Sequence, residues 1–68
     1  MNKEYTILIA DRNPHVREFL KREMVAEGFQ VRLSDKGADV LKLVFHHESP
    51  DLVIIDPDLP DIDREMLL

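Results

Sequence analysis

Leu52-Val53-Ile54-Ile55-Asp56-Pro57-Asp58-Leu59-Pro60 is the stretch whose reading decides the fold. Four apolar residues in a row, three of them β-branched, read as a strand buried on both faces, the pattern of a parallel sheet covered by helices. The run stops at a carboxylate, and Pro57 and Pro60 bar further strand pairing. Asp56 is therefore expected at the carboxyl end of an inner strand, opening into a loop. In open α/β sheets that is where ligands bind.

Working outward from this stretch, Thr6-Ile7-Leu8-Ile9-Ala10 is a second buried-strand run, and it too ends in an aspartate, Asp11. Asn13 and Pro14 supply a helix cap and a first helical residue. Val16, Phe19, Leu20 and Met24 then recur at helical spacing as an inward face, with Glu18 and Arg22 paired on the outer one. Gly28 stops that helix as a left-handed cap. Phe29 to Leu33 alternates apolar and polar and suits a strand at a sheet edge. Ser34-Asp35-Lys36-Gly37 is turn chemistry. A second helix carries Val40, Leu41, Val44 and Phe45 inward and frays through His46-His47-Glu48-Ser49. Past Pro60, Asp63 caps a third helix begun by Arg64 to Leu68.

The order β-α-β-α-β-(α), with helices long enough to cross a sheet and right-handed crossovers, requires parallel strands. With strand order 2-1-3 the two helices lie on opposite faces, giving three layers. The ends of strands one and three then meet at the topological switch point. Asp11 and Asp56 are brought side by side there, although 45 positions separate them in sequence.

Composition narrows the function classes. Sixty-eight residues make at most one domain. The absence of cysteine removes disulfides, thiolate metal sites and a cysteine nucleophile. No apolar run reaches membrane-spanning length, and Met1 to Tyr5 carry no signal-peptide pattern, so a cytoplasmic location without membrane contact is expected. Residues 1–36 hold seven basic and six acidic side chains, and residues 37–68 hold two basic and eight acidic. Five aspartates fall from Asp51 to Asp63 with no lysine or arginine among them, the wrong sign for direct nucleic-acid binding. Most of these read as a solvated loop, unless some converge on a cation. His46 and His47 are adjacent and so do not share a helix face. His15 reads as a surface residue, and Met24 and Met66 as core fillers.

Ile7 to Pro14, Gly37 at the start of the second helix, and Pro50 to Pro60 together resemble the receiver domain of two-component response regulators, a flavodoxin-like fold. Receivers have five βα units, so the resemblance covers the N-terminal half, and residues 1–68 read as a partial receiver truncated after the third strand and the start of a third helix. The resemblance implies that Asp56 is the phosphoacceptor, taking a phosphoryl group from the phosphohistidine of a histidine kinase and passing the signal to an unidentified output partner. It implies that Mg²⁺ is held by Asp11, Asp56 and the backbone carbonyl of Asp58, a donor set suited to a hard, octahedral cation. It implies an acceptor module rather than an enzyme that turns over.

Two positions depart from the family pattern. The acid that usually follows Asp11 is replaced by Arg12, whose guanidinium is expected to stand where the cation belongs, pairing the carboxylates. Weak Mg²⁺ binding follows from it, and little or no stable phosphorylation is expected of the 68-residue chain alone, since the hydroxyl residue and the lysine that complete the family's switch would lie beyond Leu68. The small residue usual after the acceptor loop is Arg64. A degenerate receiver acting as a phosphorylation-independent docking module stays open beside the phosphoacceptor reading. A haloacid-dehalogenase-like phosphatase, which Asp56-Pro57-Asp58 also resembles, stays open more remotely, since Asp58 lacks the Gly-Thr pair that motif carries. Finally, a third strand of interior composition with no neighbour on its far side predicts self-association, as a two-fold dimer with Leu52–Ile55 and Met66–Leu68 near the contact.

Overall fold

The computed structural model describes residues 5–45 and 49–62. Five elements follow in order: β1 (Thr6–Ala10), α1 (Pro14–Ala26), β2 (Gln30–Ser34), α2 (Gly37–Val44) and β3 (Leu52–Ile55). The strands are parallel, as the crossover argument requires, and form one sheet in the order β2-β1-β3. Ile7 stands opposite Val31 on one side and Leu52 on the other, and Ala10 opposite Ser34 and Ile55, so the strands run in step and end together. This is the flavodoxin-like sheet arrangement expected from the sequence.

Side-chain alternation gives each helix its face of the sheet. Leu8 and Ala10 of β1 pack with Val40 of α2 and with Leu59, and Leu43, Val53, Ile55 and Ile62 close around them. Ile7 and Ile9, also buried, point to the opposite face, where α1 lies against β2 and β1.

The local signals for α1 act as their chemistry dictates. Asn13 is extended, its side chain accepts the His15 amide at 2.8 Å, and Pro14 occupies the first turn. Gly28 has φ +97°, the left-handed conformation that lets the chain leave the helix.

The expected inward faces are covered less than their apolar character suggests. None of the 13 residues of α1 is buried, and Phe19 and Val16 are exposed, with the Arg22 guanidinium 6.0 Å above the Phe19 ring. On α2 Val40 is buried, but Leu41 is exposed and Phe45 is 84% exposed. The second strand runs one residue later than its alternation suggests and ends on buried Ser34 rather than Leu33. Ser34 belongs in the sheet because its hydroxyl replaces solvent locally, donating to the Asp39 carboxylate at 2.9 Å while accepting the Lys36 amide at 3.0 Å.

The largest correction concerns β3. Read as buried on both faces, it is instead half-buried along residues 53–55, and Leu52 is 53% exposed. Among the described residues it pairs with β1 alone. The histidine pair, the Asp63 cap, the third helix and Met66 lie outside the described residues.

Candidate functional site

Parallel strands that end in step bring the β1–α1 and β3 loops to one edge of the sheet. Asp56 follows β3 directly, and its amide donates to the Ala10 carbonyl at 2.7 Å, prolonging the β1–β3 ladder to the last residue before the loop. Its side chain is only 12% exposed. Both carboxylate oxygens are engaged: Oδ1 accepts the Asp58 amide at 2.8 Å, and Oδ2 accepts the Arg12 amide at 3.4 Å. The first is the self-closing turn that an aspartate at the head of a Pro-containing loop favours.

Asp11 is likewise folded into its own turn. Its amide donates to the Ser34 carbonyl of β2 at 3.1 Å, and its Oδ1 accepts the Asn13 amide at 2.8 Å. The Arg17 guanidinium, one turn into α1, donates to the Asp11 carbonyl at 2.7 Å. Two successive side-chain-to-backbone bonds, Asp11 to Asn13 and Asn13 to His15, therefore carry the chain from strand to helix. His15 itself is exposed.

Arg12 joins the loops. Its Nε lies 3.4 Å from Asp56 Oδ2 and its Nη2 lies 3.7 Å from Asp58 Oδ2. One guanidinium thus spans the carboxylates of Asp56 and Asp58, whereas the pairing expected from the sequence is with Asp11 and Asp56; the Asp11 carboxylate is turned instead into its own loop. The arginine side chain is 59% exposed, so the pairing works in high dielectric and holds weakly. The sequence resemblance implies Mg²⁺ in an acidic pocket at this place. Here, among the described residues, no three acidic or histidine side chains are grouped so as to hold a metal ion. With Arg12 against Asp56 and Asp58, the donor set does not fit Mg²⁺ in this conformation.

Reading the aspartate run as a solvated loop misses two members. Asp51 pins the start of β3 to the start of β1: its Oδ2 accepts the Thr6 amide at 2.8 Å while its own amide donates to the Thr6 carbonyl at 2.8 Å. Asp61 accepts the amides of Gly37 and Ala38 at the start of α2, at 2.6 and 3.0 Å. Those bonds hold its carboxyl below the ordinary value of 3.8. A polar residue just ahead of a strand hints at the role of Asp51. No local signal marks Asp61, because its partners lie more than 20 positions away.

The response regulator receiver domain family model matches residues 7–64. The chain is 35% identical over 63 residues, 93% of its length, to "Probable transcriptional regulator ycf27" of Galdieria sulphuraria. It is 35% identical over 57 residues, 84% of its length, to "Response regulator MprA" of Mycobacterium sp. (strain KMS). It is 34% identical over 56 residues, 82% of its length, to "Transcriptional regulatory protein KdpE" of Mycobacterium tuberculosis (strain H37Rv). In each case the matched region is 24% of the relative's own length. No solved structure matches significantly. A strand order of 2-1-3, an aspartate closing the third strand beside the end of the first, and this family match point one way: the chain belongs to the response regulator receiver domain family of two-component systems.

Proposed function

We propose that this chain receives a phosphoryl group on Asp56 from the phosphohistidine of a histidine kinase. The observation that carries the reading is the position of Asp56, at the carboxyl end of β3, hydrogen-bonded to the end of β1 across the switch point. A carboxylate oxygen of Asp56 attacks phosphorus, the P–O bond forms as the P–N bond to imidazole breaks, and the leaving imidazole keeps its ring nitrogen pair. Positioning and neutralisation of charge account for most of such a transfer. Arg12 supplies the positive charge nearest the acceptor, as a stand-in for the cation, and must shift from Asp56 Oδ2 before that oxygen can react. Mg²⁺ binding is accordingly weak in this chain and competes with Arg12 for the same carboxylates.

The function is that of an acceptor rather than a turnover enzyme, exerted in the cytoplasm. Among the described residues no helix is long and apolar enough to cross a membrane. Two relatives are named as transcriptional regulators, and we assign the output of this chain to the same class of process, through a partner rather than through nucleic-acid contact by these acidic loops. A second copy of the chain is the proposed occupant of the far side of β3, where half-buried aliphatic residues lie on a strand that pairs, among the described residues, with β1 alone.

The test is labelling of the protein with acetyl phosphate and with a phosphorylated histidine kinase, wild type beside Asp56→Asn. Label on the wild type that is lost in the variant supports the reading. A folded wild type that takes label from neither donor would identify a phosphorylation-independent docking module instead.

A further inference from the structure

The loop after Asp56 is tied down at its far end by a contact that phosphoryl acceptance does not itself require. One carboxylate, that of Asp61, satisfies two of the amides that open α2, through Gly37 at 2.6 Å and Ala38 at 3.0 Å. The cap residue of α2, Lys36, makes no side-chain hydrogen bond to the helix, so the capping group comes from the acceptor loop instead. The same contact accounts for Gly37. It is buried, and a Cβ there would fall onto the Ile62 side chain and lie 2.9 Å from Asp61 Oδ1. Space, rather than backbone freedom, calls for glycine at this position.

Between Asp56 and Ile62 three backbone amides are bonded within the loop. The Asp58 amide donates to Asp56 Oδ1 at 2.8 Å, the Leu59 amide to the Asp56 carbonyl at 3.2 Å, and the Ile62 amide to the Leu59 carbonyl at 3.2 Å. Leu59 is 2% exposed and sits in the core with Leu8, Ala10 and Val40. A segment with one anchor in the core and another on a helix has little freedom to carry Asp58 elsewhere.

We propose that Asp61 is a positioning residue for the Asp56 site: its carboxylate clasps the acceptor loop to the first turn of α2, and the clasp keeps Asp58 where its amide meets Asp56 and its carboxylate meets Arg12. The functional meaning rests on Asp56 being the acceptor, whereas the clasp itself does not. The first turn of α2 and the acceptor loop then form one cooperative unit, and freeing either frees the other.

Amide hydrogen exchange in the intact protein tests this, in Asp61→Ala, Asp61→Asn and Gly37→Ala. The alanine at 61 removes the acceptor, whereas the alanine at 37 keeps Asp61 in the chain but crowds its carboxylate and Ile62 away from the helix start. In both, the Leu59 and Ile62 amides exchange about tenfold faster and the Asp58 amide resonance moves, while the Leu8 and Ile9 amides of β1 keep their protection. Asp61→Asn retains one acceptor oxygen and falls between wild type and Asp61→Ala. Unchanged loop exchange and an unmoved Asp58 resonance in both alanine variants would overturn the proposal. A uniform rise across loop and β1 in all three variants would overturn it too, leaving Asp61 as a stabilising cap only. Labelling by acetyl phosphate, run in parallel, separates the two layers: loop release without any label in the wild type defeats the acceptor reading and leaves the clasp standing.

Discussion

Strands β1 and β3 are both short aliphatic runs that end in an aspartate, yet they are buried very differently. Four of the five residues of β1 are buried, with Leu8, Ile9 and Ala10 fully enclosed. No residue of β3 is, and its first residue is more than half exposed. The difference lies in neighbours rather than composition. β1 has a strand on each side and a helix on each face, whereas β3 pairs with β1 alone among the described residues. An aliphatic run states how much burial a strand can use, and the assembled sheet decides how much it receives.

The largest effect that sharpens this comparison is on stability. Leu8→Ala in β1 removes a fully buried side chain from the cluster with Val40 and Leu59 and is expected to cost about 3 kcal/mol, a large share of the stability of so small a domain. Val53→Ala, its paired position in β3, is half-buried and is expected to cost about 1 kcal/mol. Urea unfolding of the two variants checks the ordering, and equal costs would mean that β3 is covered in solution.

Covering of β3 by a second copy predicts dissociation on charging the strand. Sedimentation of the wild type is expected to give a concentration-dependent dimer, and Ile54→Lys a monomer. A wild type that stays monomeric and cooperatively folded at micromolar concentration would contradict self-association through this edge.

At the ends of the two strands, Arg12→Asp removes the cation that links Asp56 and Asp58 and adds a carboxylate beside Asp11. Mg²⁺ affinity is expected to rise about tenfold or more by calorimetric titration, since hard-cation affinity follows carboxylate count. Stability is expected to change by less than about 1 kcal/mol, because the Arg12 pairing is solvent-exposed. Equally tight Mg²⁺ binding by both forms would mean that Arg12 does not hold the carboxylates in solution.

The smallest effect is on pH dependence. The carboxyl of Asp61 titrates below its ordinary 3.8 because the Gly37 and Ala38 amides favour its charged form. A depressed folded-state value contributes stability that is complete above the unfolded value and is lost as pH falls through the folded one. Asp61→Asn is expected to flatten the stability profile below about pH 4 and to leave it unchanged near pH 7. An identical acid limb in both proteins would contradict the clasp.

The parts legible in the sequence were those fixed by local chemistry or by topology. Asn13, Pro14 and Gly28 bound α1 through their own backbone and side-chain preferences. Parallel strands follow from element order and crossover hand, and the 2-1-3 order, taken as a condition, brings the loops of Arg12 and Asp56 together. What escaped depends on groups distant in the chain. Nothing local tells that Asp61 caps α2, and the place of Asp51 just ahead of β3 hints at its bond to Thr6 without naming the partner, so both read as solvated loop. Phe45 and Leu41 carry the right spacing for an inward face, but α2 turns chiefly Val40 and Leu43 toward the core. Hydrophobic period finds a face without saying how much of it the rest of the protein covers.

The most direct test of the account is phosphoryl uptake from acetyl phosphate, followed by mass spectrometry across a Mg²⁺ titration, for the wild type and Arg12→Asp. Asp56 as acceptor with Arg12 in the cation position predicts little label on Asp56 in the wild type and more, at lower Mg²⁺, in Arg12→Asp, abolished by Asp56→Asn. Folded protein that takes no label at Asp56 in either form would contradict it.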